Sequence, residues 1–541
     1  MTSKLSMNLG APSEPLALLP QKLAEHALND PDDVAIETED ASLSWREAFS
    51  LSSLHTNALI RTGVARGARI AILSENTLDF LPCFLGIVCG GYCAVTLPTM
   101  VGPDALAAIL RDCDAKALFT TSATESLARH AFGLTNLTSP PIRIGLDDAQ
   151  SNIRPLSAWL AGGDGPSPKV AIDPGSEFNI VYSSGTTGLP KGIVHSHATR
   201  AVMAEGFARL EFDRQAATLL STPLYTNLSL PAFFATLWGG GRTLIINKFN
   251  EDRYLAFAER RGATHFFLVP VQLKRLLASP QFPAADLGRT RLKYVAGSYL
   301  DPELKRITVA RWPGPLLEVY GMTEGAPMTA FVVNEHMEKI GSVGRAPIGS
   351  EIKIIDDRGD ELPIGQTGEI VGRTAAMMLG YNGRPDATRE LRWQDAFGQE
   401  FFRSGDIGKL DADGFLYLLD RKKDMIISGG LNIYAIDLER ILAQHPMIAD
   451  SAVVAVSSER WGEAPLAVVV LRLGTSITSV EVLQWANERL GKHQRLSRVE
   501  IADELPRNAL GKVEKRVLRD RYASAAASDV RAAKFGTGIE P

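Results

Sequence analysis

Short runs rich in Val, Ile, Leu or Phe recur along the chain, at 68–73, 117–121, 243–246, 266–269 and 292–296. Several lead into stretches whose apolar residues fall at helical spacing, such as 104–110 and 272–277. Strands alternating with helices predict parallel sheets covered on both faces. The texture changes near residue 340. Strand-like runs at 351–356, 368–372 and 414–418 are separated by Asp- and Gly-rich turns, which predicts a small antiparallel barrel or sheet. A third texture begins after Asp424, with a helix over 435–444, strands over 452–456 and 466–471, and a helix over 479–490, a compact α+β unit.

The fold class read from this pattern is α/β. A large N-terminal domain of parallel-type sheets, with the antiparallel barrel, is followed by a small mobile α+β C-terminal domain. The charged connector Leu419-Asp420-Arg421-Lys422-Lys423-Asp424 marks the junction. The expected organisation is 1–420, a hinge at 421–424, a C-terminal domain over 425–523 and a flexible tail over 524–541.

Length supports the division, because 541 residues exceed what one hydrophobic core organises. A net charge of −5 weighs against a nucleic-acid or polybasic membrane-surface role. Two long uncharged stretches, 80–103 and 215–241, raise the question of membrane spans. The first is interrupted by Pro82, Gly90 and Gly91, the second by Pro223, Pro231 and glycines 239–241. A span needs about 20 predominantly apolar residues in one run, so buried helix–strand units in a soluble protein are expected instead. Cys83, Cys89, Cys93 and Cys113 show neither CxxC pairs nor zinc spacing. They read as reduced structural thiols of a cytoplasmic protein.

The strongest chemical signal is Tyr182-Ser183-Ser184-Gly185-Thr186-Thr187-Gly188-Leu189-Pro190-Lys191-Gly192, directly after a strand-like run. Glycines let backbone approach a ligand, successive N–H groups and hydroxyls can surround phosphate oxygens, and Lys191 adds charge. A Walker loop is excluded, since Lys191 is followed by Gly192 and the glycine spacing differs.

This string closely resembles the signature loop of the adenylate-forming superfamily, which includes acyl- and aryl-CoA ligases. The resemblance runs over about residues 30–520, with further motifs in the family's order. Val319-Tyr320-Gly321-Met322-Thr323-Glu324 is similar to the adenine and magnesium motif. It implies that Tyr320 stacks on adenine, Thr323 bonds the α-phosphate and Glu324 holds Mg²⁺. Gly297 and Ser298 resemble the turn lining the adenine pocket, although Tyr299-Leu300 departs from the usual Ala-Pro. Asp406 and Arg421 match two ribose motifs, and Lys423 falls at the hinge position. Lys512, in Pro506-Arg507-Asn508-Ala509-Leu510-Gly511-Lys512, matches the catalytic lysine that bridges the attacking carboxylate and the α-phosphate, with Thr187 and Glu324 completing the catalytic set. Gly429, Gly430 and Trp461 resemble the coenzyme A face.

Tyr225, Thr226 and Asn227 align with the acyl-pocket segment, and Thr226 stands where many members have a histidine. No charge occurs from 215 to 241, so an apolar aliphatic or aromatic monoacid is expected, with Asn227 as an alternative bond to a ring hydroxyl. The resemblance thus implies an AMP-forming acid–thiol ligase using ATP, Mg²⁺ and coenzyme A. Its partners would be small molecules, with no nucleic acid and no membrane span, and a homodimer left open. Two alternatives stand beside it: an adenylation enzyme loading an acyl carrier protein, and a catalytically silent acyl or nucleotide binder.

Overall fold

The structure, a computed structural model, describes residues 7–10, 16–137, 139–147, 153–163, 165, 168–183, 190–429, 431–458, 460–508 and 511–522. The tail expected over 524–541 lies outside them. The chain divides into two compact units, one of Met1–Lys353 with Val371–Ser404, the other of Ile354–Ile370 with Gly405–Pro541.

Two large sheets build the first unit. One has the strand order Met328–Val332, Leu316–Gly321, Leu292–Ala296, His265–Leu268, Ala217–Leu220, Arg242–Ile245, Val34–Glu37, Ser42–Ser44. Its inner neighbours from Leu316–Gly321 to Val34–Glu37 are all parallel. The other runs Gly380–Tyr381, Lys191–Ser196, Glu177–Ser183, Cys93–Thr96, Arg69–Leu73, Ala117–Thr120, Ile142–Gly145. Parallel strands need crossovers, and the crossover helices cover the sheets. This explains the two uncharged stretches. Residues 80–103 fold as the helix Phe80–Cys89 and the strand Cys93–Thr96, while 215–241 fold as the strand Ala217–Leu220 and the helix Ser229–Gly239. Positions 80–88 and 229–237 are all buried, because each helix meets protein on every side. Among the described residues no helix is long and apolar enough to cross a membrane.

A second feature fixes the end of the first sheet. Lys305, on the helix Pro302–Arg311, lies 2.5 Å from Glu318 on Leu316–Gly321, both almost wholly buried. The Lys305 ammonium also donates to the carbonyls of Ile340 and Ser342 at 2.9 Å each. Burial pushes the Glu318 carboxyl up to about 7, against the pull of that ammonium.

Antiparallel pairing dominates after 390, although Arg498–Ile501 still joins Gly462–Leu471 in parallel. Arg392–Gln394 pairs with the start of Glu400–Leu410, and the end of that strand pairs with Leu416–Arg421. The strand expected from 414 begins at Leu416, because Gly414 closes a turn on the Asp411 carbonyl.

In the second unit the hairpin Ile448–Ser458 and Gly462–Leu471 is longer than the apolar alternation suggests. Alternate residues face opposite sides. Val453, Ala467 and Val469 pack against Leu438, Leu442, Val482 and Ala486 of the helices Ala435–Leu442 and Ser479–Arg489. Ala452, Val454, Leu466 and Val468 pack against Leu505 and Leu518. That second layer lays Leu505, Val513 and Leu518 against the sheet, with Lys512 next to Val513 in the chain.

Candidate active site

In parallel sheets, ligands gather beyond the carboxyl ends of the strands. Gly297 and Ser298 follow Leu292–Ala296, and Tyr320-Gly321 end the neighbouring strand, with Ala296 paired to Val319. Gly297 and Ser298 are exposed and Tyr320 half-buried. Met322, Thr323 and Glu324 form the turn beyond, closed by Gly325 N–H donating to Met322 O at 3.1 Å. Gly325 is required there: its φ is +95°, and a Cβ would stand 2.2 Å from Ala376 O.

The strands that flank the Gly/Ser/Thr-rich loop are antiparallel partners. Glu177–Ser183 enters it and Lys191–Ser196 leaves it, with Ser183 paired to Lys191. Ser184, Gly185, Thr186, Thr187 and Gly188 lie outside the described residues. Gly380–Tyr381 pairs with the returning strand, which sets Tyr381 opposite Ile193. From there its ring lies 4.8 Å below the Lys191 ammonium, and its hydroxyl donates to Glu324 Oε1 at 2.7 Å. Burial first, and then the Glu324 charge, hold the Tyr381 phenol well above its usual pKa, so it remains a donor. Tyr381 therefore joins Lys191 to Glu324. Nothing in the residue pattern singled it out; a Gly-Tyr pair before a polar turn is too common.

Glu324 Oε2 has no hydrogen bond among the described residues, and no cluster of three metal-ligating side chains occurs among them. One carboxylate of this kind fits a magnesium held otherwise by phosphate oxygens and water.

The acid-pocket segment follows the strand Ala217–Leu220 of the same sheet. Buried Asn76, also not foreseen, pins it: its amide donates to Thr222 O and Ile246 O and accepts from Leu224 N–H at 2.8 Å. Tyr225 and Thr226 are buried and Asn227 half-buried. The Thr226 hydroxyl donates to Pro223 O at 2.8 Å, so it serves its own turn and does not replace the histidine as a mobile polar gate.

Four predicted residues come together in the second unit. Asp406 and Arg421 are register partners on adjacent strands, with Arg421 Nε 3.3 Å from Asp406 Oδ1. Lys512 lies within their field, and within that of Asp424 and Lys423. Its turn is tied by Asn508, which donates from its N–H to Lys512 O and accepts from Lys512 N–H on its side chain at 3.0 Å. The helix 515–522 then anchors the turn through the ion pairs Lys515–Glu439 at 2.7 Å and Arg519–Asp424 at 2.7 Å. The Lys512 ammonium itself makes no hydrogen bond or ion pair among the described residues. Burial first, and then Arg421, lower its pKa to about 8, while Asp406 and Asp424 oppose the shift. Lys423 sits in a turn between two strands, where the N–H groups of Asp424 and Met425 both donate to Arg421 O.

Gly429 and Trp461 also meet. Gly429 N–H donates to Trp461 O at 2.8 Å, and a Cβ on Gly429, whose φ is +58°, would stand 2.9 Å from the indole. Gly430 lies outside the described residues. Trp461, Leu431 and Ile427 are about half exposed, leaving an apolar surface beside the glycine.

A model of the AMP-binding enzyme family matches residues 23–382, and one of the AMP-binding enzyme C-terminal domain matches 437–512. The chain belongs to the AMP-binding enzyme family. Within that family it is 32% identical to an indoleacetate–CoA ligase from Aromatoleum aromaticum, over 93% of this chain and 98% of the relative. ATP-bound MatB from Rhodopseudomonas palustris has the same fold, with TM-score 0.84 and 29% identity over 93% of this chain and 98% of that one. So does the o-succinylbenzoate CoA synthetase MenE from Bacillus subtilis in complex with an acyl-adenylate, with TM-score 0.79 and 26% identity over 93% of this chain and 97% of that one. The AMP-binding enzyme fold accounts for the α/β class, the mixed sheets of the large part and the smaller C-terminal sheet.

Proposed function

We propose that this AMP-binding enzyme is an ATP-dependent carboxylic acid–CoA ligase. In the first half-reaction a carboxylate oxygen of the acid attacks the α-phosphorus of ATP, and pyrophosphate leaves. In the second the sulfur of coenzyme A attacks the acyl carbonyl, its proton is lost, and AMP leaves. The observation that carries the reading is Lys512, whose uncommitted ammonium stands beside Asp406 and Arg421. Two anions must approach each other in the first step, and a fixed, partly desolvated cation offsets the charge that builds up. Relatives that are named as ligases of indoleacetate and o-succinylbenzoate support an aromatic or aliphatic acid.

The remaining roles follow the same reading. Asp406 accepts from the ribose hydroxyls and Arg421 reaches the ribose or phosphate, while Tyr320, Gly297, Ser298, Gly321 and Met322 enclose adenine. Thr323, Lys191 and the loop 183–188 surround the phosphates. Glu324 holds Mg²⁺, which when bound neutralises phosphate charge. Gly429, Gly430 and Trp461 meet the pantetheine arm, Lys423 is the hinge of the junction 421–424, and the location is cytoplasmic.

The test is pyrophosphate release from purified protein with MgATP and a panel of aliphatic and aromatic acids, with and without CoA. Acyl-CoA and AMP should appear only when CoA is present; a panel in which no acid releases pyrophosphate refutes the reading. Because kcat/KM reports the free enzyme and Lys512 acts while charged, kcat/KM should fall as pH rises through about 8. Lys512→Arg, which stays charged, should remove that limb.

Tyr381→Phe removes a hydrogen bond to an ionised carboxylate, typically about 1.5 kcal/mol or more. The Mg²⁺ concentration for half-maximal adenylation should rise about tenfold, with thermal stability little changed. An unaltered Mg²⁺ dependence would exclude the link between Tyr381 and Glu324.

A further inference from the structure

Arg200, on the helix His197–Ala208, is fully buried and has no carboxylate partner among the described residues. Its partners are neutral. Nε donates to Asn179 Oδ1 at 2.8 Å, NH1 donates to Asn227 Oδ1 at 2.7 Å, and the guanidinium lies 5.7 Å over the Phe234 ring. Among the described residues the guanidinium nitrogen NH2 has no acceptor, and neither has the side-chain amide nitrogen of Asn179. His195, close by, cannot supply a counter-charge: burial first, and then Arg200, keep its ring neutral. A lone guanidinium at this depth is costly, and loss of solvent lowers its pKa to about 9. The fold retains it nonetheless, and in the segment 223–228 it hydrogen-bonds Asn227.

A guanidinium can only donate. The Asn227 amide must therefore turn its oxygen toward Arg200 and its nitrogen away, an orientation dictated by the hydrogen-bond network itself. Asn227 Nδ2 has no acceptor among the described residues, and the side chain is half-buried. Residues 215–241 carry no charge of their own; the structure brings one in from a helix earlier in the chain. Positive potential from Arg200 further favours an electron-rich group opposite Nδ2.

We propose that Asn227 Nδ2 is a fixed donor in the acid pocket, oriented by Arg200 as a positioning residue, and that it selects acids carrying an acceptor oxygen remote from the reacting carboxylate. This rests on the reading of 223–228 as the acid-pocket segment and on the ligase activity. A ring hydroxyl, an ether, a ketone or a second carboxylate supplies the same acceptor. A buried donor left without its acceptor penalises the plain analogue.

The experiment compares kcat/KM for pyrophosphate release across matched acids. Phenylacetic and phenylpropanoic acids carry hydroxyl or methyl at the ortho, meta or para position, and an aliphatic arm pairs dicarboxylic acids with monocarboxylic acids of equal length. The arms separate neutral from anionic acceptors. In the wild type at least one pair should favour the acceptor by about tenfold to a hundredfold. Asn227→Leu should bring that ratio to near one. Arg200→Met should do the same, and Arg200→Lys should restore part of it. In the double variant Arg200→Met/Asn227→Leu the ratio should be no lower than in Asn227→Leu, because the two residues act as one unit.

Each failure has its own signature. No pyrophosphate from any acid refutes the ligase reading. Turnover with no ratio altered by Asn227→Leu refutes the pocket assignment. A ratio abolished by Asn227→Leu but kept in Arg200→Met, or equal loss for both members of a pair, overturns the positioning role. Asn227→Leu lies at a half-buried site and keeps the proposal testable should Arg200→Met not fold.

Discussion

Lys512→Ala is expected to slow adenylation by roughly 10²–10³-fold, the usual loss when one preorganised donor to a developing charge is removed. Turnover of a supplied acyl-adenylate with CoA should stay largely intact, since in that step no carboxylate has to approach a phosphate. The reason lies in what surrounds the ammonium. Burial and Arg421 destabilise its charge, and Asp406 and Asp424 restore part of it. A cation held in this way gains more from two incoming anions than one exposed to water. Lys492, which also follows a glycine, is exposed and has no such surroundings, so Lys492→Ala should adenylate normally. Pyrophosphate release and single-turnover thioester formation separate the two steps. Adenylation at the wild-type rate in Lys512→Ala would end its assignment as the catalytic lysine.

Lys305→Met should be the most destabilising of these changes, by about 3–5 kcal/mol, because it leaves the Glu318 carboxyl buried without its cation. The carbonyls of Ile340 and Ser342 lose a donor as well. The pH dependence has a definite sign. Glu318 already titrates at about 7, above the ordinary glutamate value of 4.5, and loss of Lys305 raises it further. A carboxyl raised in the folded state favours folding at low pH, and that advantage is lost as pH rises through the folded value. The deficit of the variant should therefore be small near pH 5 and grow through pH 7 and above. Lys305→Met/Glu318→Leu should recover much of the loss. Thermal melts across this range provide the measurement, and a deficit independent of pH would rule out the buried pair as its source. Tyr320 and Gly321 end the strand that Glu318 anchors, so weaker ATP binding should accompany the loss.

Much of the proposed site comes from local chemistry in the sequence. Gly185, Gly188 and Lys191 suggest the proposed phosphate loop by type and spacing, and Asp406, Arg421 and Lys512 each stand in a short motif whose order along the chain is itself informative. The strands at 292–296 and 266–269 were legible too, because buried parallel strands are continuous apolar runs. Tyr381, Arg200 and Asn76 were not. Each acts on a group far along the chain: Tyr381 on Glu324, Arg200 on Asn227 and Asn76 on Leu224. A single tyrosine, arginine or asparagine carries no mark of its partner.

By itself the sequence determined the α/β class, the order of the elements and the types of group available to hold a nucleotide, because strand and helix periods and motif spacing are properties of neighbouring residues. Only the tertiary structure decided which of those groups share an environment. Sheet register placed Asp406 against Arg421, packing on the second face of the small sheet carried Lys512 to them, and a buried helix set the Arg200 guanidinium behind Asn227. Hydrogen bonding and desolvation act at a few ångströms whatever the separation along the chain, so pKa shifts and donor orientation became definite only once the fold had closed those distances.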